Sequence, residues 1–166
     1  MSLSNKEHDA ECGEAVDQLL KNWRSGKDLN NFIGADVSKN ATKKTFPSPD
    51  AGFYSHKTRS SVALEYKPAE RETKRGILTG LGQSIAYLNG NTYSASILVV
   101  PETIDDFPIS DFLKTIFDQQ IYHKLPIALY KFKNNEPSNI ICLKNISNRL
   151  ANLDQKDPKS TEQTYW

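Results

Sequence analysis

The sequence predicts a single α/β domain in which helices pack against a mixed β-sheet. Segments with a helical spacing of apolar residues alternate with short segments rich in β-forming residues, an order typical of this class. One strand segment, Ile97–Val100, is apolar throughout, as expected of a buried central strand. A length of 166 residues suits one domain. We therefore expect residues 11–151 to form the domain, residues 1–10 to be a flexible N-terminus and residues 152–166 to be a polar C-terminal tail.

Three segments are expected to be helices. In residues 11–24 the apolar side chains recur at spacings of three and four, and Gly26 follows as a stop signal. Residues 72–88 and 108–122 show the same periodicity, which predicts one buried face on each helix.

The remaining apolar segments are expected to be strands. Residues 52–55 and 61–67 flank a polar loop and predict a hairpin, which Pro68 ends. A short strand is expected before the hairpin, in residues 33–37 or 43–46. The later strands are expected at residues 93–100, 127–132 and 140–143.

Composition excludes several classes of function. The net charge of +1 gives no global basic field of the kind that nucleic-acid-binding proteins often carry. Cys12 and Cys142 lie too far apart for a metal-ligand spacing, so we expect reduced thiols and a cytoplasmic location. No apolar segment is long enough to cross a membrane. A Gly-rich phosphate loop and a nucleophile elbow are also missing from the sequence.

Two acidic residues and a lysine are expected to lie together on the hairpin. Glu65 and Lys67 are two positions apart on one strand, so they share a face, and Asp50 precedes the neighbouring strand. Carboxylates can hold a divalent cation, which generates a nucleophile at neutral pH and neutralises charge on a phosphodiester. The spacing therefore predicts a metal-dependent phosphodiesterase site. The alternatives are a turn-forming role for Asp50 and an exposed ion pair between Glu65 and Lys67.

These residues also resemble a known family. Pro-Asp ending at Asp50, a gap of fourteen residues, Glu65-x-Lys67 and then Gln83-x-x-x-Tyr87 are similar to the motifs of the PD-(D/E)xK nuclease superfamily, in its RecB-like branch. The resemblance covers most of the chain. It implies a restriction-endonuclease-like αβββαβ core, in which a mixed β-sheet is flanked by helices.

The resemblance also implies an activity, which is Mg²⁺-dependent DNA endonuclease cleavage, with Mn²⁺ able to substitute. A restriction enzyme's cleavage module is the leading expectation, and a homodimer or a partner subunit is implied because two sites are needed to cut both strands. The residues implied as catalytic are Asp50, Glu65, Lys67 and Gln83. Of these, Asp50 and Glu65 would bind the metal. The alternatives are a repair nuclease, a Holliday junction resolvase, and a non-catalytic DNA-binding or assembly subunit with the same fold. An unrelated α/β enzyme ranks last.

Further site residues are expected around this centre. The resemblance implies a third metal ligand on the first helix, for which Glu14 or Glu11 is the candidate, although ordinary solvation explains Glu14 equally well. Residues 56–75 carry six basic and three acidic side chains, a net charge of +3 that could track a DNA backbone. The expected DNA-binding residues are Lys57, Arg59, Arg71, Lys74, Arg75 and Tyr87.

A glycine stripe is expected beside the site. Gly76 and Gly80 lie on the same face of the second helix as Gln83 and Tyr87. Because glycine is unfavourable inside a helix, we expect the stripe to let the backbone approach the strands or a DNA phosphate closely.

Overall fold

The fold was examined in a computed structural model that describes residues 5–27, 36–40, 42, 46–57, 59–68, 72–90, 92–119, 125–133 and 136–141. Within these residues the chain forms three helices and six strands. In chain order they are α1 (Asn5–Arg24), β1 (Val37–Asn40), β2 (Ala51–Ser55), β3 (Ser60–Tyr66), α2 (Lys74–Ala86), β4 (Ala95–Pro101), α3 (Ile109–Phe117), β5 (Ile127–Lys133) and β6 (Glu136–Ile141).

The six strands form one mixed sheet, in which their spatial order is the same as their order in the chain. Strands β1, β2 and β3 pair antiparallel, β3, β4 and β5 pair parallel, and β6 returns antiparallel to β5. Parallel neighbours need a crossover connection, and α2 and α3 supply the two that are required here. The expected α/β class with a mixed sheet is confirmed.

Helices cover both faces of the sheet. The apolar stripe of α1 packs with the side chains of Val62, Leu64 and Tyr66 on one face. Helices α2 and α3 pack with Leu98 and Leu129 on the other face. Along β3 the side chains alternate between the two layers, as strand geometry requires. Glu65 and the residue two positions beyond it therefore lie on the α2 side.

The helix α1 begins earlier than the sequence indicates. It starts at Asn5, inside the segment 1–10 that was expected to precede the domain, and residues 1–4 lie outside the described residues. The first two turns are polar and show no apolar periodicity. Tertiary contact explains them: the imidazole of His8 packs against the ring of Tyr66 and lies 3.3 Å from its carbonyl oxygen.

Two strands also differ from expectation. Strand β1 occupies Val37–Asn40, so it begins at the last residue of the first segment expected for it and ends before the second. Strand β6 begins at Glu136 instead of residue 140, because pairing with β5 includes Pro137 although proline is disfavoured within sheets. The expected C-terminal tail, residues 152–166, lies outside the described residues. None of the helices in the described part of the chain combines the length and apolar character needed to cross a membrane.

Candidate active site

Asp50 is fixed beside β3 by two backbone hydrogen bonds. Its amide donates to the carbonyl oxygen of Leu64 at 3.0 Å, and its Oδ2 accepts from the amide of Tyr66 at 2.8 Å. The carboxylate therefore continues the β2–β3 ladder by one step. Asp50 is exposed to solvent, and it lies next to Glu65, the residue that precedes Tyr66.

Glu65, by contrast, is buried and has a perturbed pKa. It is 4% exposed, and its Oε1 accepts a hydrogen bond from the hydroxyl of Tyr87. Burial first, then the charge of Asp50 and a hydrogen bond with its carboxylate, raise the pKa of Glu65 to about 7 against the opposing effects of Tyr87 and Lys67. The two carboxylates are thus close enough to interact strongly. Pairs of carboxylates that lie this close together and raise a pKa are common at functional sites.

Lys67 completes the group at the end of β3. Its Nζ lies 3.3 Å from Oε2 of Glu65, and its side chain is 12% exposed. The aliphatic part lies against α2 at Gly80, where an added Cβ would be 2.9 Å from Lys67 Cε and 3.0 Å from Cγ. The expectation that the glycine stripe allows close approach to the strands is confirmed at Gly80. At Gly82, which also lies in α2, an added Cβ would meet nothing within 4 Å.

Gln83 lies on the face of α2 that points toward this group. Gly80, Gln83 and Tyr87 are spaced by three and four residues, and the first and last of them contact Lys67 and Glu65. The Oε1 atom of Gln83 is buried and has no hydrogen-bond partner among the described residues. An unpaired buried carbonyl oxygen is costly, so this atom is suited to a ligand that supplies a positive charge or a proton.

The oxygen atoms present fit a hard divalent cation. Asp50 and Glu65 offer two carboxylates, Gln83 offers an amide oxygen, and Mg²⁺ is typically held by one or two carboxylates and several waters. Larger clusters are missing: the described residues contain no group of three or more His, Cys, Asp and Glu side chains arranged to hold a metal ion. The fit therefore depends on the carboxylate pair with water.

Tyr87 is buried beside this group. Its side chain is 3% exposed, and the DNA-binding role expected for it stays a prediction. Its hydroxyl lies between Oε1 of Glu65 and the carbonyl oxygen of Ser48, 3.2 Å away. Tyr87 therefore links α2 to the segment that precedes Asp50 and holds the buried carboxylate in place. Its surroundings, chiefly burial and Glu65, raise the pKa of the phenol, which stays protonated as a donor.

The metal-ligand role expected for Glu14 on α1 stays a prediction. Glu14 is exposed, and it does not line the cavity of about 150 Å³ that separates α1 from Asp50. The α1 residues that line this cavity are Asp9, Cys12, Gly13 and Val16. Asp9 is the acidic residue of α1 that faces the cavity, and its spacing of three and four from Cys12 and Gly13 was the available signal. It was not singled out from the sequence, because the helix was expected to start at residue 11.

Cys12 lies in the same cavity and is not suited to nucleophilic chemistry. Burial, followed by the charges of Asp50 and Glu65, raises the pKa of this thiol to about 12. Reactive cysteines have depressed pKa values, so Cys12 is a buried structural thiol. Cys142 lies outside the described residues.

The basic residues divide into two groups. Lys57 and Arg59 are exposed in the β2–β3 turn, about 20 Å from Glu65 at the strand rise per residue. This pair therefore lies away from the carboxylates, and its expected role in DNA binding stays a prediction. Lys74 and Arg75 are exposed at the start of α2, on the side of the carboxylates, and Nζ of Lys74 lies 5.0 Å from the ring centroid of Phe107. Arg71 lies outside the described residues.

A second carboxylate partner of Lys67 was not expected. Oε1 of Glu72 lies 3.7 Å from Nζ of Lys67, and the Glu72 side chain is 15% exposed. The sequence offers no signal for this contact, because it depends on the path of the chain between β3 and α2.

No family model matches the chain, and no curated protein shows significant similarity to it.

Proposed function

We propose that this chain is a Mg²⁺-dependent DNA endonuclease that hydrolyses phosphodiester bonds and serves as the cleavage module of a restriction enzyme. The observation that carries the proposal is the convergence of the Asp50 and Glu65 carboxylates with the Lys67 ammonium at one end of β3. The element order from α1 to β4 supports it as well, since it follows the αβββαβ order expected from the resemblance.

The raised pKa of Glu65 adds a physical argument. Burying a carboxylate beside another carboxylate costs stability unless a cation or a proton compensates. Lys67 supplies one positive charge for this pair, and the side chain of Glu72 competes for it. A site that keeps two carboxylates under these conditions favours a divalent cation.

Each residue then has a role in the reaction. Asp50 and Glu65 would hold the cation, and Tyr87 orients Glu65 through its hydroxyl. When bound, Mg²⁺ would lower the pKa of a water and neutralise charge at the phosphate. Lys67 stabilises the negative charge that develops on a phosphate oxygen, and the Gln83 amide oxygen orients the attacking water. Attack on phosphorus breaks the bond to the 3′ oxygen, which leaves with a proton from solvent.

The decisive experiment compares the wild type with Asp50→Asn on plasmid DNA in Mg²⁺, Mn²⁺ or EDTA. We expect cleavage by the wild type with either metal and a rate lowered by about 10²-fold or more in the variant, since transition-state charge is no longer neutralised. Asp111→Asn, which removes an exposed carboxylate from α3, is the matched control and should cleave like the wild type. Equal rates for Asp50→Asn and the wild type would contradict the proposal.

A second substrate separates the possible roles in the cell. Linear products from a plasmid would favour a restriction-type enzyme that acts as a homodimer or with a partner subunit, because two sites are needed to cut both strands. Selective cutting of a four-way junction would favour a resolvase. Thermal unfolding with and without Mg²⁺ gives an independent readout, because a ligand bound only by the folded state raises the unfolding temperature, and Asp50→Asn should lose that shift.

A further inference from the structure

The contact between Lys67 and Glu72 is built into the connection between β3 and α2. The amide of Glu72 donates to the carbonyl oxygen of Pro68 at 3.1 Å, which turns the chain back toward the end of the strand. Glu72 then places its carboxylate 3.7 Å from Nζ of Lys67, and both side chains are largely buried. Lys67 thus lies between the carboxylates of Glu65 and Glu72.

Two glycines of α2 leave room for these side chains. A Cβ at Gly76 would overlap the Glu72 carboxylate, and a Cβ at Gly80 would meet the Lys67 side chain. The helix begins beside them, where the hydroxyl of Thr73 accepts from the amide of Gly76 at 3.0 Å. Glycine is unfavourable within a helix, so a pair of them at these two positions fits a requirement for the acid and the lysine to pack against α2.

The charge balance explains what a second acid is for. If a divalent cation bound to Asp50 and Glu65, it would neutralise the Glu65 carboxylate that attracts Lys67. The cation would also repel the ammonium of Lys67. A remaining anion beside Lys67 would oppose that repulsion. Resting on the proposed function, we infer that Glu72 is a positioning residue, which keeps Lys67 at the site when a divalent cation is bound.

The first test measures cleavage by Glu72→Gln, which keeps the shape of the side chain and removes its charge. We expect kcat to fall about tenfold, since the lysine is displaced, while KM changes by less than about twofold. In a Lys67→Ala background the same substitution should have no further effect, because the group that it positions is gone. Glu102→Gln is the matched control, since Glu102 pairs with Lys131 and Lys133 at another part of the sheet. Equal kcat for Glu72→Gln and the wild type, or additive losses in the double variant, would overturn the inference.

The second test does not depend on activity. Each protein is treated with an acylating reagent in Mg²⁺, and modification of Lys67 is followed by mass spectrometry, with exposed Lys114 as the internal reference. We expect faster modification of Lys67 in Glu72→Gln than in the wild type and no change at Lys114. Equal modification of Lys67 in both proteins would overturn the inference. Faster modification together with no cleavage by the wild type would support the role of Glu72 and contradict the proposed nuclease.

Discussion

At the scale of single residues, the buried carboxylate of Glu65 makes the stability of the protein depend on pH. Glu65 is almost completely buried, beside Asp50, and its pKa is raised because the protonated form suits that environment. A group whose pKa is raised on folding stabilises the protein below its unfolded pKa and loses that contribution as pH rises through its folded pKa. The change in stability should therefore fall between about pH 4.5, the unfolded value, and pH 7.

The prediction for Glu65 follows directly. The free energy of unfolding of the metal-free protein should decrease by up to about 3 kcal/mol as pH rises from 4.5 to 8, as the conversion from pKa units requires. Glu65→Gln has no proton to lose and should be less dependent on pH, so the difference between the two proteins isolates this residue. Urea unfolding in EDTA at several pH values measures it, and parallel curves for both proteins would contradict the prediction.

Tyr87→Phe tests how the buried carboxylate is held. The variant lacks the hydroxyl that donates to Glu65, so we expect a loss of stability of about 1–2 kcal/mol and a lower rate of metal-dependent cleavage, because an acceptor is left unpaired. Tyr54→Phe is the control, since Tyr54 lies half-buried in β2 with its ring against His56, a contact that phenylalanine keeps, and it should leave both quantities unchanged. Thermal unfolding and plasmid cleavage measure the two effects.

At the scale of elements, α2 and β3 together carry most of the site. Strand β3 supplies Glu65, and Lys67 follows its end. Helix α2 supplies Gln83, and its C-cap residue Tyr87 also lies on the side that faces the strand. The close approach of the two elements depends on Gly80, which has no side chain to separate them. This close approach lets the side chains of α2 reach the carboxylate pair, because side-chain reach is short compared with the width of a helix.

The glycines of α2 give a pair of contrasting predictions. Gly80→Ala would gain up to about 1 kcal/mol of helix propensity but would push Lys67 aside, since Cβ would lie 2.9 Å from its Cε, and we expect slower cleavage with little gain in stability. Gly82→Ala would gain the same propensity with nothing in the way, so it should raise the unfolding free energy by about 1 kcal/mol and keep its activity. Full activity in Gly80→Ala would contradict the proposed packing.

What the sequence could predict follows the range of its signals. The prediction that Glu65 and Lys67 share one face of the strand depends only on alternation over a few residues. The structure agrees with it, since the two side chains lie beside each other. The positions of Asp9 and Glu72 depend on where helices begin and how they lie against the sheet, which no local pattern contains. The burial of Tyr87 likewise comes from three-dimensional packing, and the sequence alone favoured an exposed role for it.

At the scale of the whole molecule, the exposed basic side chains form two groups at opposite ends of β3. Lys57 and Arg59 lie at one end of β3, and Lys74 and Arg75 lie near the other end, beside the carboxylates. A DNA duplex that contacted both groups would have to span the length of β3. The overall charge of +1 means that binding would depend on these local groups, so it should weaken with salt.

The prediction for DNA binding concerns the second group. Lys74→Ala together with Arg75→Ala should reduce the slope of log affinity against log salt by about 2, if both side chains contact phosphates. Fluorescence anisotropy with a labelled duplex in Ca²⁺ at several salt concentrations measures the slope. Lys114→Ala is the control, since Lys114 pairs with Asp118 on α3, and an unchanged slope in the double variant would exclude that surface as a DNA contact.

The contact between Trp23 and Tyr130 has a consequence for synthesis of the chain. The indole of Trp23 donates to the hydroxyl of Tyr130 at 3.3 Å, across 107 positions of sequence. Helix α1 leaves the ribosome before β5, so its largest fully buried side chain gains this hydrogen-bond partner only after β5 has emerged. During translation part of the apolar face of α1 is therefore exposed until β5 has been made, and a nascent chain that is still attached should be a target for chaperones that bind apolar segments.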